Sequence, residues 1–151
     1  KLLHKPKPFG DEAVPSGNGI AAGVLVRLGH LLGEPRYLDA AERTVRAALD
    51  ALTRYPEAHA TLLHALDELT TPPTIAVARA DAHAIGDWQR ALDVGYAPHR
   101  LALAIPSDAS GLTGLLAERA PRAGGVAYVC EGMTCRAPIA SLEELKKVEA
   151  R

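Results

Sequence analysis

The chain has 151 residues, 48% of them hydrophobic and 23% charged, so it can bury a core of ordinary globular size. Seventeen Lys and Arg residues against 18 Asp and Glu residues give a net charge of −1, which offers no general attraction for nucleic acid or an acidic membrane surface. No apolar run approaches the roughly 20 residues that cross a bilayer, and residues 1–7 lack the apolar core of a signal peptide. We therefore expect a cytoplasmic protein without nucleic-acid or membrane partners.

Helical periodicity dominates the first half of the chain. Three apolar stripes at three- and four-residue spacing predict three helices, and short connections predict antiparallel neighbours. Gly33 is the predicted stop of the first helix, the second runs from Pro35 to Tyr55-Pro56, and the prolines at 72–73 end the third. The stripe residues are Ala21, Val24, Leu25, Leu28, Leu31 and Leu32, then Leu38, Ala41, Val45, Ala48, Leu49 and Leu52, then Leu62, Leu63, Leu66 and Leu69.

The second half of the chain alternates strand and helix patterns. The predicted strands are residues 74–78, 101–105 and 126–130. The second of these runs lacks polar alternation, which is typical of a strand covered on both faces. The first predicted helix of this half is marked by Ile85, Trp88 and Leu92 and stops near Gly95, a short one lies between Gly111 and Pro121, and the last runs from Ser141 to about Val148. Ser141 and Glu144 form the capping box that starts the last helix.

These patterns predict a mixed α+β fold. An N-terminal helical segment, residues 1–72, precedes a small C-terminal α/β domain, residues 73–151, with three to four short strands. The boundary falls between Thr71 and Pro73, where the helical stripes give way to β-branched runs.

The segment 11–19 carries the first candidate site. Small polar side chains and free backbone N–H groups lie there at the start of a helix, where proteins often hold sugars, phosphates and carboxylates. Asp11 offers a carboxylate, Ser16 and Asn18 offer donors and acceptors, and Gly17 lets a ligand approach the backbone. The same residues also fit a local role, with Ser16 or Asn18 as the N-cap and Asp11 opposing the helix dipole. No catalytic residue is identified.

The two cysteines are the second candidate site. A hairpin turning through residues 131–134 sets Cys130 opposite Cys135, at a separation that a disulfide spans. Their spacing is not Cys-x-x-Cys, and the sequence places no cationic helix N-terminus beside either thiol, so reduced structural thiols are favoured over redox exchange. We expect no metal site, because no further ligands stand at a zinc-site spacing from the pair.

A loop after the first predicted strand carries a weaker candidate. Asp81 and His83 follow that strand and precede a helix, which is the position that α/β folds commonly use for ligands. An N-cap aspartate beside a surface histidine explains the same pattern. The other histidines are scattered, and none belongs to a metal-binding string.

Motifs at both ends of the chain resemble one family. They are Lys5-Pro6-Lys7, Asp11, Pro15-Ser16-Gly17-Asn18 and, after the leucine-rich helices, Ala127-Tyr128-Val129-Cys130-Glu131 with Cys135 and Pro138. Together they are similar to the C-terminal part of the YyaL-type thioredoxin-domain-containing proteins, also called the spermatogenesis-associated thioredoxin-domain family. The resemblance spans nearly the whole chain.

The resemblance implies a larger parent protein. Members of the family carry an N-terminal thioredoxin-like domain, which is absent here, and a helical region similar to the six-hairpin toroids of the N-acylglucosamine 2-epimerases and related carbohydrate enzymes. By this resemblance the first three helices are the last portion of the toroid, and the α/β unit is a C-terminal appendage. The start at Lys1 and the single methionine, Met133, also favour a fragment.

Two functional hypotheses follow from the resemblance. Three helices cannot close a ring of about twelve, so we expect exposed apolar stripes and self-association of the fragment. The resemblance places Asp11, Ser16 and Asn18 near a sugar cavity, without assigning an acid or a base. The parent is therefore either a carbohydrate-binding or carbohydrate-active protein, or a redox protein that this chain serves as a structural and interaction module. We expect no cofactor and no independent catalysis, because half a cavity cannot position a substrate.

Overall fold

Helices come first along the chain and strands follow. The computed structural model describes residues 7–93, 95–132 and 134–149. Over these residues the chain has six α-helices and a four-stranded mixed sheet, which confirms the predicted α+β class. Lys5 and Pro6 of the family resemblance, and Met133 of the predicted turn, lie outside the described residues.

The chain divides into two compact units. Residues 7–30 and 34–71 form the first unit, and residues 31–33 group with 72–149 in the second. The helices of the first unit are α1 (Gly17–Leu32, of which the last two residues group with the second unit), α2 (Pro35–Ala47), α3 (Leu49–Arg54) and α4 (Ala60–Thr70). Gly33, with φ +69°, ends α1 as predicted.

The predicted second helix is in fact two. Ala48, with φ −101° and ψ 0°, leaves the helical conformation and separates α2 from α3. Its N–H donates to the carbonyl of Val45 at 3.1 Å, and its side chain is buried in the core of the first unit. No proline or glycine stands at this position, so neither residue type accounts for the break.

Small residues form the buried face of α1. Its buried residues are Gly19, Ala22, Val26, Gly29 and His30, so the predicted stripe of larger side chains is not the buried face. A Cβ at Gly19 would lie 2.8 Å from Thr61 Cβ, and one at Gly29 would lie 2.6 Å from Leu38 Cδ2. The glycines thus let neighbouring chain segments approach closely, and the larger Ile20 and Val24 are left half exposed.

The second unit is built on a mixed sheet in the order β2-β1-β3-β4. Its elements are β1 (Thr74–Ala80), α5 (Ile85–Leu92), β2 (Arg100–Pro106), β3 (Val126–Glu131), β4 (Thr134–Cys135) and α6 (Leu142–Glu149). β1 pairs with β2 in parallel and with β3 in antiparallel, and β3 and β4 form an antiparallel hairpin. Trp88 of α5 and Leu145 of α6 pack with the alanines of β1 in a buried core.

Two predictions for this unit need correction and one is confirmed. β2 lies at the edge of the sheet and is only half buried, so it is not covered on both faces; the buried strand is β1. The predicted helix within residues 111–121 is a single 3-10 turn, Gly114–Leu116. Ser141 is the N-cap of the last helix as predicted, since the Glu144 N–H donates to Ser141 Oγ at 3.2 Å, which is one of the two hydrogen bonds of a capping box. No helix of the described residues combines the length and apolar character needed to span a membrane.

Candidate functional site

Asp11 ties the loop before α1 to the start of α4. Its Oδ1 accepts hydrogen bonds from the Ser16 N–H at 2.7 Å and from Thr61 Oγ1 at 2.6 Å, and its Oδ2 accepts from the Thr61 N–H at 2.8 Å. Thr61 lies in the first turn of α4, where a carboxylate satisfies a free N–H group and opposes the helix dipole. The hydrogen bond from the Thr61 side chain is the largest of the causes that lower the pKa of Asp11 below 3.8.

Ser16 and Asn18 bind the chain's own backbone. Ser16 is the N-cap of α1, because its Oγ accepts from the Gly19 N–H at 3.4 Å and also donates to the carbonyl of Pro8 at 3.1 Å. Asn18 Nδ2 donates to the carbonyls of Lys7 and Pro8, at 3.1 and 2.9 Å. A Cβ at Gly17 would meet nothing within 4 Å, so the backbone there borders open space. Ligand binding by these residues stays a prediction, and a ligand would compete with the internal hydrogen bonds.

The role of Asp11 is tested by Asp11→Ala. Loss of three hydrogen bonds is expected to lower the free energy of unfolding at pH 7 by about 1–2 kcal/mol, measured by urea denaturation. Because folding lowers this pKa, the stabilisation is present above 3.8 and is lost as the pH falls through the lowered value, so the two proteins converge in acid. The exposed neighbour supplies a control, Glu12→Ala, which should change stability by less than about 0.5 kcal/mol. Equal stability of Asp11→Ala and the wild type at pH 7 would contradict this role.

A charged groove between α1 and α4 was not foreseen from the sequence. Arg27 Nε donates to both carboxylate oxygens of Glu68, at 2.9 and 3.1 Å, and Arg27 Nη2 also contacts Oε1. His64 Nε2 lies 3.3 Å from Glu68 Oε1. The Glu68 side chain is 0% exposed, and it borders a groove of about 250 Å³ that Gly23 also lines. The i, i+4 spacing of His64 and Glu68 was visible in the sequence, whereas Arg27 lies 41 residues from Glu68.

His30 lies on the buried face of α1. Burial lowers the pKa of its imidazole below 6.5, and the charge of Glu68 opposes that shift. Its Nδ1 has no hydrogen-bond partner among the described residues. A neutral imidazole is therefore the favoured form in the folded protein near neutral pH.

Cys130 and Cys135 form a disulfide. They are directly opposite each other in the β3–β4 hairpin, with a Cα–Cα distance of 3.9 Å and an S–S distance of 2.14 Å. The predicted hairpin placement is confirmed, and the expectation of reduced thiols is corrected. Because residues that face each other on paired strands have neighbouring side chains, the two sulfurs lie close together. Cys130 is 4% exposed, whereas Cys135 lies in the exposed strand β4.

An arginine contacts both sulfurs. Arg119 Nη2 lies 3.2 Å from the Sγ atoms of Cys130 and of Cys135, so a cation from a loop, which the sequence did not indicate, accompanies the pair. The guanidinium also lies over the ring of Tyr128, 5.4 Å from its centroid. The Arg119 carbonyl accepts from Arg79 Nη1 at 2.9 Å, and this bond fixes the backbone that carries the guanidinium. Arg119 lies outside any helix or strand, so no periodic sequence pattern indicated its position.

Asp81 and His83 do not converge on a site. Asp81 Oδ1 accepts from Ser107 Oγ at 2.5 Å, and both residues follow the carboxyl ends of the parallel strands β1 and β2. His83 is exposed. The N-cap of α5 is Ala84, which makes no side-chain hydrogen bond. The alternative prediction that Asp81 caps this helix is therefore wrong. Within the described residues, no three His, Cys, Asp or Glu side chains are grouped to hold a metal ion.

Comparison with known proteins adds no relative to this picture. The resemblance to the thioredoxin-domain family therefore stays a prediction, carried by the motifs at residues 5–18 and 127–138. No family model, no curated protein and no solved structure matches the chain.

Proposed function

We propose that this chain is the C-terminal portion of a cytoplasmic thioredoxin-domain-containing protein and serves there as a structural and interaction module. Its helical unit completes a larger helical toroid and has no catalysis of its own. The observation that carries the proposal is the outward face of α1, where Ile20 and Val24 are 51% and 49% exposed. Two aliphatic side chains about one turn apart favour a covering protein surface.

The occupant of this face is the preceding helices of the same protein. The groove beside Ile20 and Val24 is also lined by Arg27 and His64. A covering helix with an apolar stripe and polar ends matches such a surface, as neighbouring helices do in a toroid. In the chain without those helices, a second copy takes their place, so self-association is expected.

Light scattering of the chain in solution tests this proposal. The wild type is expected to form dimers or larger assemblies, and the double variant Ile20→Asp with Val24→Asp is expected to be monomeric. Leu49→Asp is the matched control, because Leu49 of α3 is also 51% exposed but lies outside this face. A wild-type chain that is monomeric at high concentration would overturn the proposal, as would assembly that the control abolishes and the double variant does not.

A carbohydrate-binding role is the second candidate, and the groove at Arg27, His64 and Glu68 favours it. Charged side chains beside exposed apolar atoms provide hydrogen bonds and contact surface of the kind that sugar rings use. Titration calorimetry of the full-length parent with mono- and disaccharides tests this role. We expect heat of binding that His64→Ala reduces. If Asp11→Ala reduces the heat instead, the sugar binds at residues 11–18 and not in this groove. Absence of heat for every sugar would reject the role.

A further inference from the structure

We propose that Cys130–Cys135 is an exchangeable disulfide that a protein dithiol reduces, and that Arg119 promotes the exchange by stabilising the thiolate that leaves. The proposal rests on the contacts within the second unit alone. It does not depend on the family resemblance or on the helical interaction face.

The position of the guanidinium is the main argument. Arg119 Nη2 lies 3.2 Å from each sulfur, and a full positive charge at that distance gains little from a neutral disulfide. It gains more from a thiolate, because a negative charge on the sulfur adds Coulomb attraction to the hydrogen bond from the guanidinium. The arginine therefore stabilises the reduced, charged state over the disulfide, which makes the bond easier to open.

The guanidinium is also held in place. Its face lies over the Tyr128 ring, and Arg79 Nη1 donates to the Arg119 carbonyl. Tyr128 Oη donates to the carbonyl of Ala120 at 2.7 Å, which fastens the next residue of the same loop to β3. A cation that is fixed before the reaction loses little freedom when the thiolate forms, so more of its interaction energy is available to the reaction.

The two sulfurs differ in access, and this difference assigns their roles. Cys135 lies in the exposed strand, so an incoming thiolate attacks its Sγ and forms a mixed disulfide. The Cys130–Cys135 bond breaks, and its electron pair stays on Cys130 Sγ, which leaves as a thiolate beside Arg119. The second thiol of the partner, once deprotonated, then attacks the mixed disulfide and releases Cys135. Each released thiolate takes up a proton from solvent or stays ionised, and the partner dithiol is oxidised to a disulfide as this one is reduced.

The hairpin is held by other bonds, so reduction leaves the sheet in place. Beyond β4, the Arg136 N–H donates to the Val129 carbonyl at 2.9 Å. Ala127 and Ile139 exchange two backbone hydrogen bonds, at 2.8 and 2.9 Å. The disulfide closes only a short ring, and a short ring removes less entropy from the unfolded chain than a long one does. Because other bonds also hold this segment, the disulfide can open reversibly without loss of the sheet.

The rate of reduction by dithiothreitol under native conditions tests the proposal. Free thiols are trapped by alkylation and counted by mass. Arg119→Met is expected to slow reduction roughly tenfold, and Arg119→Lys to restore part of the rate, because it returns the charge without the planar fork. Arg122→Met, at an exposed arginine of the same loop, is the control and should leave the rate unchanged. Circular dichroism checks that each variant is folded, and Arg119→Gln is a second uncharged variant.

A second measurement separates thiolate stabilisation from a structural effect. In the reduced protein, alkylation by iodoacetamide follows the thiolate, so the pH profile of the wild type should lie at lower pH than that of Arg119→Met. Equal reduction rates and equal pH profiles for the two folded proteins would overturn the proposal. A disulfide that dithiothreitol opens only when the chain unfolds would also overturn it, and would identify the bond as structural. Neither result bears on self-association through α1, because that is measured separately.

Discussion

Replacing Gly125 by Ala is expected to lower the free energy of unfolding by about 3 kcal/mol, which urea denaturation would measure. Gly125 has φ +96°, a backbone conformation that L side chains rarely adopt. An added Cβ would lie 2.5 Å from two atoms of the Trp88 indole, which is buried in the core with residues of α6 and the sheet. Backbone strain and overpacking therefore act at the same position.

Gly124→Ala is the matched control for this variant. Gly124 also has a positive φ, +79°, but a Cβ there would meet nothing within 4 Å. We expect only the backbone penalty, about 1 kcal/mol, so the difference between the two variants measures the contact with Trp88. If both variants lose the same free energy of unfolding, the Trp88 indole shifts to admit the methyl group without cost, and the tight packing is not a source of stability.

Arg27→Met is the second substitution with a large expected effect, about 3 kcal/mol of lost unfolding free energy. It removes the arginine partner of Glu68, whose side chain is 0% exposed, and leaves a buried carboxylate with His64 beside it. His64 carries a compensating charge only when it is protonated. Arg43→Met, at an exposed arginine of α2, controls for the general effect of removing a positive charge and should cost less than about 0.5 kcal/mol.

The double variant Arg27→Met with Glu68→Leu distinguishes an unpaired charge from lost packing. Removing both charges also removes the need to desolvate them, so the double variant should recover most of the stability lost in Arg27→Met. Thermal unfolding of the set of four proteins gives the coupling energy of the pair. A double variant as unstable as the single one would show that the lost stability does not come from leaving the Glu68 carboxylate unpaired.

Local signals account for what the sequence predicted well. The start of the last helix at Ser141, the stop at Gly33 and the hairpin that pairs Cys130 with Cys135 each depend on a few adjacent residues. Such features follow from capping and turn chemistry, which act within one or two turns of the chain. They needed no knowledge of the rest of the fold.

Contacts between distant segments explain what the sequence did not reveal. The usual periodicity rule assigned the larger side chains of α1 to the core, but Gly19 and Gly29 make the opposite face the better fit for Thr61 and Leu38. The guanidinium of Arg119 reaches the disulfide from a loop without periodicity. Asp11 was predicted as a ligand group because it lies in a polar segment at the start of α1, where proteins often bind ligands. In the structure its carboxylate instead accepts the N–H of Thr61 at the start of a different helix, α4.

The position of β2 at the edge of the sheet has a consequence for how the protein behaves when it is concentrated or partly unfolded. Its sequence Leu101-Ala102-Leu103-Ala104-Ile105 carries no charge, and one side of its backbone has no strand partner among the described residues. Such a strand is a template on which another chain can add and begin aggregation. Gln89 Oε1 accepts the N–H of Ala104 at 3.0 Å, and Pro106 at the end of the strand has no N–H to donate. Gln89 and Pro106 therefore act as gatekeepers against pairing with another chain.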